Sequence, residues 1–280
     1  MAIPRVDQAL VDQGLANSME HARLLVMEGK VYLGGGKVAK ASDKAKPTLM
    51  LTVRDGVKPF VSRGGLKLDK AMRVFGLDVM HRVCMDVGAS TGGFTDVLLR
   101  RGAKKVYAID VGFGLLDYTL RVDERVSVME KTNARFLEPD AFAPRPEIGV
   151  TDVSFISLKS ILPAAFSVLQ GEHRRFVALI KPQFEARREQ VGTGGIVRDP
   201  DVHAEVIQRI AAFVLSVGWR AQALSFSPIT GAQGNIEYLI DLVPQAEAVC
   251  FVDEKIIATV VEEAHRAHAI GDEKSDMAKS

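Results

Sequence analysis

Two features of residues 86–110 could hold a nucleotide-type cofactor. The stretch Asp86-Val-Gly-Ala-Ser-Thr-Gly-Gly-Phe94 follows an apolar run and precedes a helical pattern, and Asp110 ends the next apolar run. A glycine turn between strand and helix allows close approach of a ligand, and glycine accepts the positive φ that other residues avoid. A carboxylate at the tip of the neighbouring strand can accept hydrogen bonds from ribose hydroxyls. The spacing predicts a cofactor site, and a purely structural glycine turn is the alternative.

Four charged side chains fall at corresponding places along the chain, each at or just after the end of a predicted strand. They are Asp86, Asp110, Asp152 and Lys181. Ligands of open α/β sheets bind outside the carboxyl ends of the strands, so these side chains are expected to meet in one cleft. Because Pro182 ends the strand before it, Lys181 should lie at the cleft, where it could orient or help to deprotonate a hydroxyl nucleophile. A lysine that caps a loop carbonyl is the alternative.

Strand-like and helical patterns alternate from Val83 onward, which predicts parallel strands joined by right-handed crossovers. The predicted strands are 83–87, 105–110, 126–130, 148–153, 176–180, 221–226 and 236–243, and the predicted helices are 94–101, 115–120, 157–169 and about 202–216. The short link between the last two strands predicts an antiparallel finish to the sheet. A surface helix is expected over 253–268 and a disordered polar tail over 271–280.

The first 57 residues have a different pattern. Residues 7–14 read as a helix closed by glycine, and Ser18 reads as the N-cap of a second helix that ends at Gly29. Strands are expected at 31–33 and 49–53 around glycine turns. We therefore predict four regions: a small N-terminal domain (1–57), a connection with a helix around Lys67 (58–75), the α/β domain (76–245), and a C-terminal helix and tail (246–280).

The charge distribution points to a polyanionic partner. Residues 1–74 carry 13 Lys/Arg and 7 Asp/Glu, a net charge of +6, whereas the whole chain of 280 residues has a net charge of only +1. A basic segment on an acidic body is typical of a module that docks on nucleic acid, although small surface modules are also basic by chance.

Composition excludes several other classes of protein. With 47% hydrophobic and 25% charged residues, the chain is typical of a globular protein. The two cysteines, Cys84 and Cys250, have no metal-site spacing, and the sequence shows neither a signal region nor an apolar run long enough to span a membrane. We therefore expect a cytoplasmic protein without a metal site or a membrane partner.

Five motifs in register carry a resemblance to a known family. They are Ser62-Arg-Gly-Gly-Leu-Lys67-Leu, Asp86-Val-Gly-Ala-Ser-Thr-Gly-Gly-Phe-Thr95, Asp152-Val-Ser-Phe-Ile-Ser157, Lys181-Pro-Gln-Phe-Glu185 and Gly234-Asn-Ile-Glu-Tyr238. Together they resemble the TlyA family of ribosomal RNA 2′-O-ribose methyltransferases, many of which are labelled haemolysins. The resemblance runs from Arg5 to about Val243.

The resemblance implies a fold, a cofactor and a set of catalytic residues. The fold is α/β: a Rossmann-like class I methyltransferase sheet, mostly parallel with an antiparallel last strand, of the FtsJ-like kind that uses S-adenosylmethionine. The family's Lys-Asp-Lys-Glu tetrad falls on Lys67, Asp152, Lys181 and Glu237. Lys181 would contact the 2′-oxygen, either as a base or as a cation that stabilises a developing alkoxide. Lys67 and Glu237 would hold the ribose and tune Lys181, and Asp152 would orient Lys181 and the methyl group.

The resemblance also implies the binding residues. Those for the cofactor are Asp86, Gly88, Ser90, Thr91, Gly92, Gly93, Asp110 (on the ribose) and Asn133 (near the adenine). The N-terminal block resembles the small α+β RNA-binding fold of α-L type found in certain ribosomal proteins and pseudouridine synthases. Candidate RNA contacts are Arg5, Arg23, Lys30, Lys37 and Arg63. In this block Met19 stands where a basic residue is usual, and Gly34-Gly-Gly36 replaces an Asn-Gly turn. Ribosomal subunits are the expected partner.

Three other functions compete with this interpretation. An NAD-dependent oxidoreductase shares the glycine turn, but Ser90 occupies the middle glycine of GxGxxG. A non-catalytic RNA-binding or assembly factor would keep the fold, yet the tetrad is intact. A membrane-damaging haemolysin ranks last because the 253–268 helix begins acidic and is not basic throughout.

Overall fold

The computed structural model describes residues 4–13, 15–16, 18–27, 29–34, 36–45, 51–53, 60–231, 233–245 and 252–277, with only the backbone of Lys37 and of 270–277. The chain forms two compact units, residues 1–58 and 59–280. Cys250 lies outside the described residues, and Cys84 is a free, buried thiol.

The N-terminal unit packs two short helices and a small antiparallel sheet around one apolar core. The helices are α1 (Val6–Asp12) and α2 (Met19–Met27), and the strands β1 (Val31–Leu33), β2 (Gly36–Lys37) and β3 (Leu51–Val53) are ordered β2-β1-β3. Ser18 accepts a hydrogen bond from His21 N at 3.1 Å, so the predicted N-cap of α2 is confirmed. Residues 49 and 50 of the predicted strand lie outside the described residues.

The larger unit is built on a seven-stranded sheet. Its strands are β4 (Val83–Val87), β5 (Lys105–Ile109), β6 (Val126–Met129), β7 (Ile148–Thr151), β8 (Arg175–Ile180), β9 (Trp219–Phe226) and β10 (Tyr238–Pro244). The order is β6-β5-β4-β7-β8-β10-β9. The first five run parallel, and β10 is antiparallel to both β8 and β9, so the predicted mostly parallel sheet with an antiparallel finish is confirmed.

Helices cover both faces of this sheet. They are α3 (Gly65–Phe75), α4 (Gly93–Arg100), α5 (Tyr118–Arg121), α6 (Leu162–Val168), α7 (Pro182–Glu185), α8 (Pro200–Ser216) and α9 (Glu254–Met277). Side chains alternate between the faces along each strand. In β8, Ala178 packs in the cluster that includes Ile210 of α8, whereas Val177 packs in the cluster that includes Leu68 of α3.

Three predicted helices differ from the structure. The helix expected over 115–120 is a single turn at Tyr118–Arg121, because Asp117 caps it by accepting Thr119 N at 2.9 Å. The helix expected over 157–169 is a 3-10 turn at Leu158–Ser160 followed by α6, whose first turn holds a proline that lacks the N–H needed further inside a helix. The C-terminal helix extends to Met277, so the tail predicted to be disordered from residue 271 is helical up to that residue.

Candidate active site

The structure brings the four predicted tetrad side chains to one edge of the larger sheet. Lys67 lies in the first turn of α3, Asp152 follows β7, and Lys181 follows β8. Glu237 directly precedes β10, and because β10 runs antiparallel, its start pairs with the end of β8, Tyr238 opposite Ile180. Strand direction therefore places Glu237 near Lys181.

These four side chains form a continuous chain of ion pairs. Lys181 Nζ lies 2.6 Å from Asp152 Oδ1, Lys67 Nζ lies 3.0 Å from Asp152 Oδ2, and Lys67 Nζ lies 2.7 Å from Glu237 Oε2. Both lysine side chains are only 9% exposed. Buried charges are tolerated only when they are paired, so each of the four charges requires its neighbours.

Burial and pairing act against each other in this chain. Burial disfavours the ammonium of Lys67, but Asp152 and Glu237 outweigh that effect and raise the Lys67 pKa. Burial also opposes ionisation of Asp152, yet Lys67 and Lys181 lower its pKa. For Glu237 burial prevails over the attraction of Lys67, so the pKa of Glu237 is raised. Asp152 is therefore the firmly ionised residue at the centre of this row of ion pairs.

A cavity of about 810 Å³ opens onto the tetrad, and a second of about 560 Å³ lies beside it. Both cavities are lined by Gly88, Ser90 and Asp152. The second is also lined by Asp110 and Asn133. The two cavities thus meet next to Asp152.

The predicted glycine turn is present, and packing within the protein requires it. Gly88 and Gly92 have φ of +83° and +94°. A Cβ on Gly88 would lie 2.8 Å from the side chain of Val153, and a Cβ on Gly92 would lie 2.2 Å from that of Leu120. A Cβ on Gly93 would also clash, with the residues before α3. These contacts are enough to explain why glycine stands at all three positions. That is what the alternative of a purely structural glycine turn predicts.

Asp86, in the strand that leads into this turn, is a buried carboxylate of which only one oxygen is hydrogen-bonded within the described part of the chain. It is 1% exposed, and its Oδ2 accepts hydrogen bonds from Thr95 N at 2.9 Å and Thr95 Oγ1 at 2.7 Å. Its Oδ1 has no partner among the described residues, and Asp86 lines the larger cavity. Burial raises the pKa of Asp86 to about 7 despite the two bonds from Thr95.

The other predicted cofactor residues are held by local bonds. Asp110 Oδ2 accepts Ser90 N at 2.8 Å and its Oδ1 accepts Gly112 N at 2.7 Å, so this carboxylate joins the glycine turn to its own loop. Asn133 caps a 3-10 turn by accepting Arg135 N at 3.1 Å. Thr91 lines the larger cavity.

Sequence reasoning missed two aromatic side chains at the tetrad. Phe155 is 90% exposed with φ of +63°, a conformation that costs a bulky residue on the order of 1–3 kcal/mol. Its ring lies 5.0 Å from that of Phe184, and both residues line the larger cavity. A phenylalanine between Ser154 and Ile156 just after a strand end was the available signal.

Two polar residues at the site were also missed. Ser154 accepts a hydrogen bond from Lys181 Nζ at 2.8 Å. Glu185, at the end of α7, accepts Ser157 Oγ and Leu158 N, both at 2.7 Å. Glu185 therefore joins the segment that follows Lys181 to the segment that follows Asp152.

The candidate RNA-binding residues fall into different environments. Arg5 and Arg23 both pair with the buried Asp7, at 2.8 and 3.2 Å, and remain about half exposed. Lys30 is half-buried between α2 and β1, and the side chain of Lys37 lies outside the described part of the chain. Arg63 is exposed at the larger cavity, in the other unit.

Two further kinds of feature, a metal site and a membrane-spanning helix, can be judged from the geometry of the described residues. Within the described ranges, no group of three or more His, Cys, Asp or Glu side chains could hold a metal ion. Among the same residues, no helix is long and apolar enough to cross a membrane.

The sheet separates two classes of Rossmann-like protein. The NAD-dependent dehydrogenases have the strand order 3-2-1-4-5-6, whereas here the antiparallel β10 is inserted between β8 and β9. With the tetrad at its carboxyl edge, the larger unit is that of a Rossmann-like methyltransferase, and the N-terminal unit is a separate small domain.

Comparison with known proteins agrees with this class. The FtsJ-like methyltransferase family matches residues 60–243, and the S4 domain family matches residues 4–51. YqxC of Bacillus subtilis is 46% identical over 276 residues, covering 98% of this chain and 97% of YqxC. TlyA of Mycobacterium tuberculosis, named as a 16S/23S rRNA (cytidine-2′-O)-methyltransferase, is 43% identical over 269 residues, covering 95% of this chain and 98% of that protein.

A solved structure points the same way. A protein from Streptococcus thermophilus that carries the name hemolysin superposes with a TM-score of 0.76 at 43% identity, over 97% of this chain and all of that chain. The chain belongs to the TlyA family of FtsJ-like methyltransferases.

Proposed function

We propose that this chain transfers the methyl group of S-adenosylmethionine to a ribose 2′-hydroxyl of ribosomal RNA, acting on ribosomal subunits. The observation that carries the proposal is the buried chain Lys181–Asp152–Lys67–Glu237 where two cavities meet. The name of the Mycobacterium tuberculosis relative supports the ribose 2′-oxygen as the methylated atom and ribosomal RNA as the substrate.

The residues that line the two cavities fit this cofactor. The unpaired Oδ1 of Asp86 can accept a hydrogen bond from the cofactor's amino group, which would remove a buried polar atom without a partner. Asp110 retains acceptor capacity for the ribose, and Asn133, which lines the second cavity, would lie near the adenine. The bound cofactor supplies an electrophilic methyl on a sulfonium.

Lys181 is the residue proposed to contact the reacting oxygen. An ammonium has three N–H donors; here one is directed to Asp152 and one to Ser154, so the third can meet the ribose oxygen. In the transfer the ribose oxygen would gain the methyl group that the sulfonium sulfur loses, and the hydroxyl proton would pass to solvent in the cavity while the ammonium of Lys181 stabilises the developing negative charge. Since sulfonium charge is lost in the step, the chain contributes mainly by positioning and by activating a weak nucleophile. Lys67, held between Asp152 and Glu237, fixes the spacing of the tetrad.

Phe155 and the S4 domain are proposed to hold the RNA. An exposed aromatic ring beside Lys181 offers a face on which the base of the target nucleotide can stack, typically worth about 1–3 kcal/mol. Arg5 and Arg23 present guanidinium groups at the surface of the S4 domain for phosphate contacts, which carry affinity but little sequence information.

The decisive experiment is transfer of labelled methyl from S-adenosylmethionine to separated small and large ribosomal subunits. Alkaline hydrolysis of the product RNA then locates the label, because a 2′-O-methyl ribose blocks strand cleavage at its position. We expect label on resistant positions in at least one subunit. Label released with mononucleotides would indicate base methylation, and no incorporation with retained subunit binding would favour a non-catalytic assembly factor.

A further inference from the structure

The C-terminal helix α9 reaches the tetrad through two hydrogen-bonded histidine relays that begin at part-buried side chains. In the first, His265 of α9 places Nε2 3.0 Å from Nδ1 of His203 on α8. The same Nδ1 lies 2.8 Å from the hydroxyl of Tyr238, the residue next to Glu237, and His203 Nε2 lies 3.0 Å from the carbonyl of Val197. His203 and Tyr238 are fully buried.

The partners of His203 determine where its proton lies. A carbonyl can only accept, so Nε2 carries the hydrogen that is donated to Val197. Nδ1 must then accept, and its one lone pair is shared between the Tyr238 hydroxyl at 2.8 Å and an N–H at His265 Nε2 at 3.0 Å. Burial lowers the pKa of His203 to about 4, and the neighbouring His265 adds to that effect against the opposing pull of the Val197 carbonyl and Asp199. The relay therefore keeps one protonation pattern at neutral pH.

Val197 belongs to a segment that lines the larger cavity. Its N–H donates to Asn235 Oδ1 at 3.0 Å, and Asn235 Nδ2 donates to the Gly195 carbonyl at 2.9 Å. Gly195 and Asn235 both line the cavity that opens onto the tetrad. The first relay thus holds the start of β10 together with residues 195–197, which we call the glycine segment.

The second relay ends on Glu237 itself. His268 of α9 lies with Nε2 3.1 Å from the carbonyl of Ser227, to which it donates. Ser227 N in turn donates to the backbone carbonyl of Glu237 at 2.8 Å. His265 therefore reaches Tyr238, the residue after Glu237, and His268, about one turn further along α9, reaches the backbone of Glu237 through Ser227.

Docking of α9 does not depend on these histidines. Ile257, Val261 and Ala264 are 2%, 3% and 0% exposed in the core, and apolar burial supplies most of the free energy of helix docking. A buried hydrogen bond adds little net stability but strongly restricts geometry. The relays are thus better suited to fixing the position of Glu237 than to holding the helix.

We propose that α9 is a positioning element of the active site, in which His265, through His203, and His268, through Ser227, fix Glu237 and the glycine segment at the cavity. This rests on the proposed methyl transfer, since Glu237 matters there as the partner of Lys67. None of the three histidines touches the reacting atoms, so they are positioning residues and not catalytic ones.

The test compares two substitutions of similar size at the same positions in the full-length chain. In His265→Leu/His268→Leu the relays lose their donors, whereas in His265→Gln/His268→Gln an amide N–H remains near each acceptor. His173→Leu, at an exposed histidine, is the matched control. The measurements are kcat and KM for ribosomal subunits, S-adenosylmethionine Kd by calorimetry, and thermal unfolding.

We expect the double leucine variant to lose about tenfold or more in kcat, the cost of losing one or two buried hydrogen bonds. Cofactor Kd should stay within about twofold, and the glutamine pair should recover most of the rate. Equal rates for the leucine and glutamine pairs, or an equal loss in kcat and in cofactor affinity, would overturn the proposal. If the double leucine variant does not fold, His265→Leu and His268→Leu are compared singly with their glutamine counterparts. An inactive wild-type protein would instead refute the proposed function itself, and the inference with it.

Discussion

Among the described carboxylates that each pair with two cations, the two most buried are Asp7 in the N-terminal domain and Asp152 in the methyltransferase domain. Asp7 is paired with Arg5 and Arg23, which are 49% and 57% exposed. Asp152 is paired with two lysines that are each 9% exposed. Each carboxylate thus pairs with two cations, but the cations around Asp7 are much more exposed than those around Asp152.

That difference would separate the proposed docking surface for RNA from the proposed reacting centre. A half-exposed arginine keeps unused N–H donors that can exchange one anion for another, which suits contact with RNA phosphates. Buried lysines cannot exchange partners without a large desolvation cost, so their geometry is set before the substrate arrives. Preorganised charge of this kind is what a group-transfer site requires.

The largest effect is expected from Lys181→Ala. Removing the group proposed to contact the ribose oxygen should lower kcat by about 10³-fold or more, while cofactor affinity changes little, because the ion pair and hydrogen bond of Lys181 go to Asp152 and Ser154. Single-turnover methyl transfer and calorimetry measure the two quantities. Lys181→Arg is the companion variant, since it keeps the charge but cannot serve as a base. A fully active Lys181→Ala protein would remove this residue from the mechanism.

Glu185→Ala should have the next largest effect. Loss of its bonds to Ser157 and Leu158 frees the segment that carries Ser154 and Phe155, so kcat/KM for RNA should fall about 10–100-fold with cofactor Kd nearly unchanged. Steady-state kinetics with ribosomal subunits measures this change. Glu189→Ala, at an exposed position nearby, is the control, and similar kinetics for the two variants would contradict the assignment.

Asp86 extends the comparison because it is a buried carboxylate that pairs with no cation among the described residues. Its folded-state pKa of about 7 lies above its ordinary value of 3.8, so the folded protein binds the extra proton and wild-type stability falls as pH rises from about 4 to 7. The free energy of unfolding of Asp86→Asn, relative to wild type, should therefore rise over this range by on the order of 1–3 kcal/mol. Urea denaturation at pH 5 and pH 8 tests it, and a difference independent of pH would refute the assignment.

Asp7→Asn should have the smallest effect on methyl transfer. The hydrogen bond from Arg5, with that from Arg23, holds the pKa of Asp7 below its ordinary value, so its contribution to stability is present at neutral pH and lost as pH falls through the folded pKa. We expect a loss of about 1–3 kcal/mol in unfolding free energy at pH 7 and at most a few-fold change in subunit affinity. Denaturation and filter binding measure these, and a loss of kcat/KM as large as that of Glu185→Ala would contradict the distinction between the two domains.

Much of the site could be read from the chain because strand ends carry local signals. Residue 180 ends an apolar run and Pro182 follows it, so the position of Lys181 at the sheet edge was predictable. The glycine turn was predictable as a turn, but its sequence did not show that Val153 and Leu120 fill the space beside it. The placement of Lys67 and Glu237 came from family resemblance, since neither follows a parallel strand.

Other features had no local signal. Glu185 could not be distinguished from a solvated helix charge, because its partners lie 27 and 28 residues earlier in the chain. The histidines of α9 occupy ordinary helical positions, and only packing against α8 and β9 gives them partners. The end of α9 was also misjudged, since a polar composition does not by itself stop a helix.

The sequence by itself determined the parallel strands, the glycine turn and the order in which acids and lysines reach the sheet edge, because short apolar runs and their glycine or proline ends are local properties. Only the tertiary structure decided that β10 enters between β8 and β9, which sets Glu237 across from Lys181, and that α9 packs against α8 and β9. The physical reason is that strand pairing and side-chain ion pairs join residues far apart in the chain, so the whole core must pack before their partners are fixed.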